Sequence, residues 1–205
     1  MSEPKGWHSR GYLPHFDAAG VIQHVVFRLE GSLPAGALDR LRAAEADASL
    51  RREAVDDELD QGGGPQWMAD PDCADLVAEA LRHGQGKRYR LHAWCVMPNH
   101  VHVLVEAADG VSLGAIVKSW KSYTARLLNQ RLGRTGRFWA PDYFDRYTRD
   151  RQQFETAVAY IEQNPMKAGL CRNPADWPWS SASQYADLEV RAPCAHTRGE
   201  DAPHP

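Results

Sequence analysis

At 205 residues and 22.9 kDa, with 43% hydrophobic and 25% charged side chains and a net charge of −3, the chain has the balance of an ordinary soluble protein long enough for one sizeable core. No run approaches the ~18 apolar residues of a membrane span, and no apolar segment follows the N-terminus as a signal peptide would require. Cys73, Cys95, Cys171 and Cys194 form no Cys-x-x-Cys, which argues against a zinc knuckle and a disulfide framework and for reduced thiols in the cytoplasm.

In chain order, residues 1–20 hold Trp7, Arg10, Tyr12, Pro14, His15 and Phe16 without periodicity, and read as an extended arm lying on the domain. Val21 to Leu29 predicts a strand: Val25, Phe27 and Leu29 alternate with His24, Val26 and Arg28, giving one apolar and one mixed face. The Ala/Leu/Glu/Arg-rich run from Ala35 to about Leu59 predicts a helix, with Leu38, Leu41 and Ala44 turned inward, and Gln61-Gly-Gly-Gly-Pro65 ends it as the most flexible internal stretch. Asp70-Pro71-Asp72 supplies a cap and a first-turn proline for a second helix running to Gly84.

Two apolar strands then meet at a Pro98-Asn99 turn within residues 92–106. Alternation puts His100 and His102 on one sheet face and Val101, Val103 and Val105 on the other. Two imidazoles on one face can grip a metal ion, although His-x-His by itself also occurs incidentally in strands. Leu113 to about Leu132 predicts an amphipathic helix with Ile116, Val117, Trp120, Thr124, Leu127 and Leu128 at helical spacing. A basic loop, a turn and a short strand up to Tyr147 follow. Asp150 caps a last helix that should end near Asn164, because Pro165 disfavours helical geometry in the residue before it. Trp177-Pro-Trp-Ser-Ser181 reads as ordered, and 186–205 as a loose tail, leaving 21–185 as the domain.

Charge is unevenly spread. Glu30 to Glu79 has 4 basic and 13 acidic residues, a net −9, whereas Lys118 to Arg151 has 9 basic and 3 acidic, a net +6. A local cationic surface is what phosphate binding needs, and a total of −3 conceals it. Lys118, Lys121, Arg126, Arg134, Arg137, Arg146 and Arg149 are the candidate phosphate contacts, which hold DNA without specifying sequence. The arm at Arg10 and His15 either contacts bases or covers a sheet edge.

On the last helix Tyr160 and Asn164 are four apart and share a face, with Tyr160 roughly 120° from Phe154 on the flank of the apolar stripe. Spacing alone fits a functional pair and a core-edge tyrosine equally. Tyr123, the other tyrosine on a helix, has Leu127 and no amide at plus four, which weighs against it as a nucleophile paired with an amide. A histidine-triad hydrolase would need a third alternating histidine, and position 104 is Leu.

Met97-Pro-Asn-His-Val-His-Val-Leu-Val105, Lys118-Ser-Trp-Lys121, Phe138-Trp139, Tyr143-Phe-Asp-Arg146, Tyr160-Ile-Glu-Gln-Asn-Pro-Met-Lys-Ala-Gly-Leu170 and Trp177-Pro-Trp-Ser-Ser181, in this order, resemble the REP-associated tyrosine transposases. These are relatives of the single-tyrosine insertion-sequence transposases within the HUH endonuclease superfamily. The likeness runs over roughly residues 7–185. It implies an α+β fold with a ferredoxin-like, RRM-like central antiparallel sheet and helices packed on it. It makes Tyr160 the nucleophile, with His100 and His102 as catalytic metal ligands and Asn164 the third ligand, for Mg²⁺ or Mn²⁺. The insertion-sequence branch often has Gln at that third position; Asn agrees with the REP-associated branch. The implied partner is single-stranded DNA beside a hairpin, handled by a monomer, with the homodimer of the insertion-sequence branch as the alternative, in the cytoplasm at the nucleoid. A non-catalytic DNA-binding protein on the same fold is the competing reading.

Overall fold

The β-branched and aromatic alternation of residues 22–28 and 89–107 builds the sheet on which everything else rests. The computed structural model describes residues 6–9, 14–17, 20–34, 36–37 and 48–184. Two short strands, β1 (Gly6–Ser9) and β2 (Pro14–Asp17), pair antiparallel, and β3 (Ile22–Arg28) follows. Then come α1 (Ala48–Asp60), α2 (Pro71–His83), β4 (Tyr89–Val96), β5 (His100–Ala107), α3 (Leu113–Arg131), β6 (Phe144–Tyr147) and α4 (Arg151–Lys167). The main sheet has the order β4-β5-β3-β6 and every pairing in it is antiparallel, so the hairpin β4–β5 docks on the first long strand as the ferredoxin-like arrangement requires.

Alternation divides the sheet into two faces with different occupants. Val25, Phe27, Val101, Val103 and Val105 point into the larger core, closed by α2 and α3 through Val77, Leu81, Ile116, Val117, Trp120 and Leu128. The other face carries Ala93, Cys95 and Leu104 under Ile161 of α4. A third, smaller cluster of Leu33, Ala37, Val55 and Leu59 seats α1 beside Phe144 of β6. No helix among the described residues is long and apolar enough to cross a membrane.

The caps read from the sequence are present. Asp70 accepts the Asp72 amide at 3.0 Å with Pro71 in the first turn, and Asp150 accepts from Gln153 at 2.8 Å; Ser112, not singled out from the sequence, caps α3 by accepting from Ala115 at 3.2 Å. Trp177 to Ser181 is ordered because it runs along the outer edge of β4. There Val96 N–H donates to the Trp179 carbonyl at 2.8 Å and Trp94 N–H to Ser181 Oγ at 3.1 Å, so backbone groups that would face water at an open edge are paired.

Three expectations change. The N-terminal residues form a strand pair, with β2 alongside β6, where a single extended arm was expected; strands of four residues are too short to show a period. The last helix does not stop at Asn164 but continues to Lys167 with Pro165 inside it. Proline removes one amide, the donor to the Ile161 carbonyl. The following carbonyls are taken, Asn164 by Ala168 N–H at 3.0 Å and Pro165 by Leu170 N–H at 2.9 Å, and the buried proline ring keeps the turn in place. The Gly-Gly-Gly stretch, expected to be the loosest, is pinned: Gly64, at a φ of +78°, lies so close to the Gly31 carbonyl that a Cβ there would collide with it. Leu38, Leu41, Ala44 and the 186–205 tail lie outside the described residues.

Candidate active site

The site begins with the turn before β5. Asn99 is buried and makes three bonds: its backbone carbonyl accepts Leu29 N–H at 2.8 Å, its Nδ2 donates to the Leu59 carbonyl at 2.7 Å, and its Oδ1 contacts His100 Nδ1 at 2.7 Å. A carbonyl can only accept, so the Leu59 contact fixes which way the amide points. Oδ1 then faces His100, and Nδ1 of that ring must carry its proton. Burial holds His100 far below the usual imidazole range, at about 3, so the ring is neutral near pH 7 and its Nε2 is a bare lone pair.

That lone pair faces His102 Nε2 at 2.8 Å. Two lone pairs cannot meet at that distance, so the contact holds either one proton or one cation. His102 is set from behind by His24, whose Nε2 lies 3.2 Å from His102 Nδ1. All three histidines are buried. Sheet register places His24 opposite Leu104 and Val26 opposite His102, so the mixed face of β3 is the site face. His24 was not singled out from the sequence. Its signal was the β3 alternation, which shows a face but not which strand will lie beside it.

Helix α4 brings the remaining groups. Tyr160 is half-buried, its ring centroid 5.9 Å from that of His102 and 6.0 Å from that of His24. One turn on, Asn164 is 1% exposed, and neither its Oδ1 nor its Nδ2 has a hydrogen-bond partner among the described residues. An unsatisfied buried amide is costly, and this one lines a cleft of about 590 Å³ together with Tyr160, Asp57, Asp60, Gln61, Lys167 and Ala168. Carboxylates from α1 were not foreseen either. Asp56, fully buried, accepts the Tyr160 hydroxyl at 2.8 Å, and Asp60 Oδ1 lies 3.9 Å from His100 Nε2. With His100 neutral that approach is not an ion pair. Burial and the neighbouring Asp57 push Asp60 up to about 6, against the pull of Lys167. Lys167 Nζ also sits 4.4 Å from the centre of the Tyr160 ring.

The donor set fits a divalent metal. Two Nε2 atoms converge with their far nitrogens anchored, the arrangement metal-binding imidazoles require, and Asn164 offers an unpaired amide on the same cleft as Tyr160. Among the described residues no group of three or more His, Cys, Asp or Glu forms a metal-binding cluster; the candidate trio depends on the asparagine.

The cationic candidates separate. Lys118 and Arg126 are exposed on α3, which packs on the valine face, away from the histidines, as does the 51%-exposed Tyr123. Arg137 and Arg149 are exposed in loops, and Arg149 lies over Tyr147 at 5.4 Å. Arg146 pairs in register with His24 and so shares the histidine face. Arg134 lies over the Trp67 ring at 4.7 Å. Lys121 Nζ donates to the carbonyls of Ala140 at 2.7 Å and Pro141 at 3.0 Å, where its charge ties a loop to α3. His15 is in β2 with its backbone paired to His8, and Arg10 lies outside the described residues.

The IS200-like transposase family model matches residues 69–164, which include both histidines, Tyr160 and Asn164 but not α1. A REP-associated tyrosine transposase of Escherichia coli K12 is 25% identical over 112 residues, 50% of this chain and 63% of that protein. A Haemophilus influenzae relative is 26% identical over 108 residues, 48% of this chain and 61% of its own length, so the matches span about three-fifths of these curated relatives. The solved structure of a REP-associated tyrosine transposase bound to a REP hairpin superposes with a TM-score of 0.56 over 94% of this chain and 89% of that one, at 16% identity, a likeness of fold. On these matches the chain is similar to the IS200-like transposases over residues 69–164 and to REP-associated tyrosine transposases over about half its length.

Proposed function

We propose that the protein is a metal-dependent single-stranded DNA endonuclease and strand transferase that acts beside DNA hairpins through a 5′-phosphotyrosine at Tyr160. The observation that carries this reading is one cleft shared by a tyrosine hydroxyl and an unpaired buried amide, on the sheet face that holds two converging imidazoles. A free phenol has a pKa near ~10, so only about one in a thousand is phenolate at neutral pH, and the phosphodiester it attacks is anionic. A divalent ion held by His100, His102 and Asn164 would polarise a phosphate oxygen and stabilise charge on the leaving 3′-oxygen. The chain's own residues orient the nucleophile. Asp56 holds the hydroxyl, the α4 turn keeps Tyr160 and Asn164 in step, and Asn99 and His24 fix the imidazoles. Cleavage forms the Tyr160 Oη–phosphorus bond and breaks the bond to the 3′-oxygen. A free 3′-OH can attack the same phosphotyrosine to rejoin.

Hairpin DNA is the proposed partner, in line with what the structural relative is bound to. Lys118, Arg126, Arg137, Arg146 and Arg149 are the proposed backbone contacts, with a monomer at the nucleoid as the working form. The test is incubation with labelled hairpin-bearing single-stranded DNA and Mg²⁺ or Mn²⁺, scored as an SDS-resistant adduct. Wild type should form the adduct only with metal, and Tyr160→Phe should form none. Salt-sensitive hairpin binding without an adduct under any metal would establish the non-catalytic DNA-binding reading.

A further inference from the structure

We infer that Asp56 is a further catalytic residue: its carboxylate takes the proton from the Tyr160 hydroxyl as that oxygen attacks, and returns it when the strand is rejoined. The inference rests on the proposed nucleophile. It begins from the hydroxyl's single proton, which can be donated in one direction. That direction is Asp56 Oδ2, 2.8 Å away.

The carboxylate is placed at a cost. Asp56 is 0% exposed, on a helix that carries Asp57 and Asp60 to the cleft lined by Tyr160. A buried carboxylate loses its hydration, and it stands beside two further carboxylates, Asp57 and Asp60, that line the cleft and would repel the substrate backbone. Ser or Asn at position 56 could accept the same hydrogen bond without a charge. What they could not do is hold a proton. Asp56 is also fixed in position, because Val55 and Leu59 on either side of it are buried in the small core under Phe144. The Lys167 ammonium, 4.4 Å from the ring centre, opposes the negative charge at this corner and favours the phenol's developing anionic character. Helix α1 lies before residue 69, outside the residues that the family model matches.

Tyr160 Oη bonds to phosphorus while its proton passes to Asp56 Oδ2. The 3′-oxygen leaves with the bonding electron pair and takes a proton from water, and Asp56 discharges its proton to the hydroxide so formed. In rejoining, the 3′-OH gives its proton to solvent, and Asp56, recharged from solvent, protonates the departing phenolate. No net proton is consumed in either direction.

The test measures the rate of adduct formation on the hairpin substrate with Mn²⁺, alongside hairpin binding. Asp56→Asn keeps an acceptor for the hydroxyl but cannot hold its proton, and should slow the rate about 10²–10³-fold with binding unchanged. Replacing Tyr160 by a fluorinated tyrosine that ionises near neutrality should then restore Asp56→Asn to within about tenfold of wild type, since an ionised nucleophile needs no acceptor. A packing role would leave the defect unrescued, and that result overturns the inference. So does an Asp56→Asn rate within about threefold of wild type, the nucleophile itself standing provided Tyr160→Phe is inactive. If Tyr160→Phe still forms the adduct, it is the nucleophile reading that fails. Should Asp56→Asn not fold, the fluorinated tyrosine in the wild-type chain decides. A rate unchanged within a few-fold supports proton transfer to Asp56, and an acceleration approaching ~10²-fold refutes it.

Discussion

Replacing Asn99 by alanine tests the construction of the site most directly. The amide sits 2% exposed between the end of α1 and the first histidine. Its loss strands the buried His100 Nδ1–H, which it now contacts at 2.7 Å, and takes one of two donors from the Leu59 carbonyl, which keeps Gly62 N–H at 3.0 Å. An unsatisfied buried polar group costs ~1–3 kcal/mol and an ordinary hydrogen bond about 1, so Asn99→Ala should lower folding stability by about 2–4 kcal/mol. A second effect is separate. Without its acceptor the His100 ring is free to change tautomer, and losing such an outer partner weakens metal binding about 10–100-fold. Urea denaturation in chelator reads the first quantity and Mn²⁺ titration of the folded chain reads the second. Asn99→Asp separates the two, because a carboxylate still accepts from Nδ1 but meets the Leu59 carbonyl oxygen to oxygen; it should lose stability while largely retaining Mn²⁺. A loss under ~1 kcal/mol in Asn99→Ala with unchanged Mn²⁺ affinity would refute the linkage between turn and site.

Further outcomes follow from other contacts. Burial holds His100 at about 3, whereas an unfolded histidine titrates near ~6.5. Its folded value is depressed, so the metal-free chain has this stability in full above pH ~6.5 and loses it progressively as pH falls toward 3, up to about 4–5 kcal/mol. Denaturation midpoints at a series of pH values in chelator check this, and a slope no steeper than that of His100→Asn would contradict it. The Tyr89 hydroxyl donates to the Leu81 carbonyl at 2.7 Å and accepts from Gly84 N–H at 3.1 Å and Trp120 Nε1 at 2.8 Å. Tyr89→Phe should therefore cost about 2–4 kcal/mol by denaturation without altering adduct formation or Mn²⁺ affinity. Arg146→Ala should weaken hairpin binding and reduce the slope of log K against log salt by about 1, as expected of a phosphate contact. Lys121→Ala should leave that slope nearly unchanged and instead loosen residues 140–142, read as faster amide exchange there.

By itself the sequence determined the elements whose signals are local. The period-2 alternation through His24 to Leu29 and Val101 to Val105, the caps at Asp70 and Asp150, and the pairing of Tyr160 with Asn164 on one helix face each depend on residues within a turn or two of each other. The mixed face of β3 was visible as a pattern, but its meaning was not. Only the docking of β3 against β5 puts His24 behind His102. Tertiary structure alone also decided that α1 delivers Asp56 to a tyrosine 104 residues away, that Asn99 locks a histidine while holding the end of α1, and that Lys121 staples a loop. It overrode a local rule at Pro165 as well, where the neighbouring bonds and burial outweigh the proline's preference for ending a helix. The physical reason is common to all of these. Periodicity and capping are set by backbone geometry a few residues long, whereas a side chain's partner across the fold depends on which faces meet, and that is fixed by packing the whole core at once.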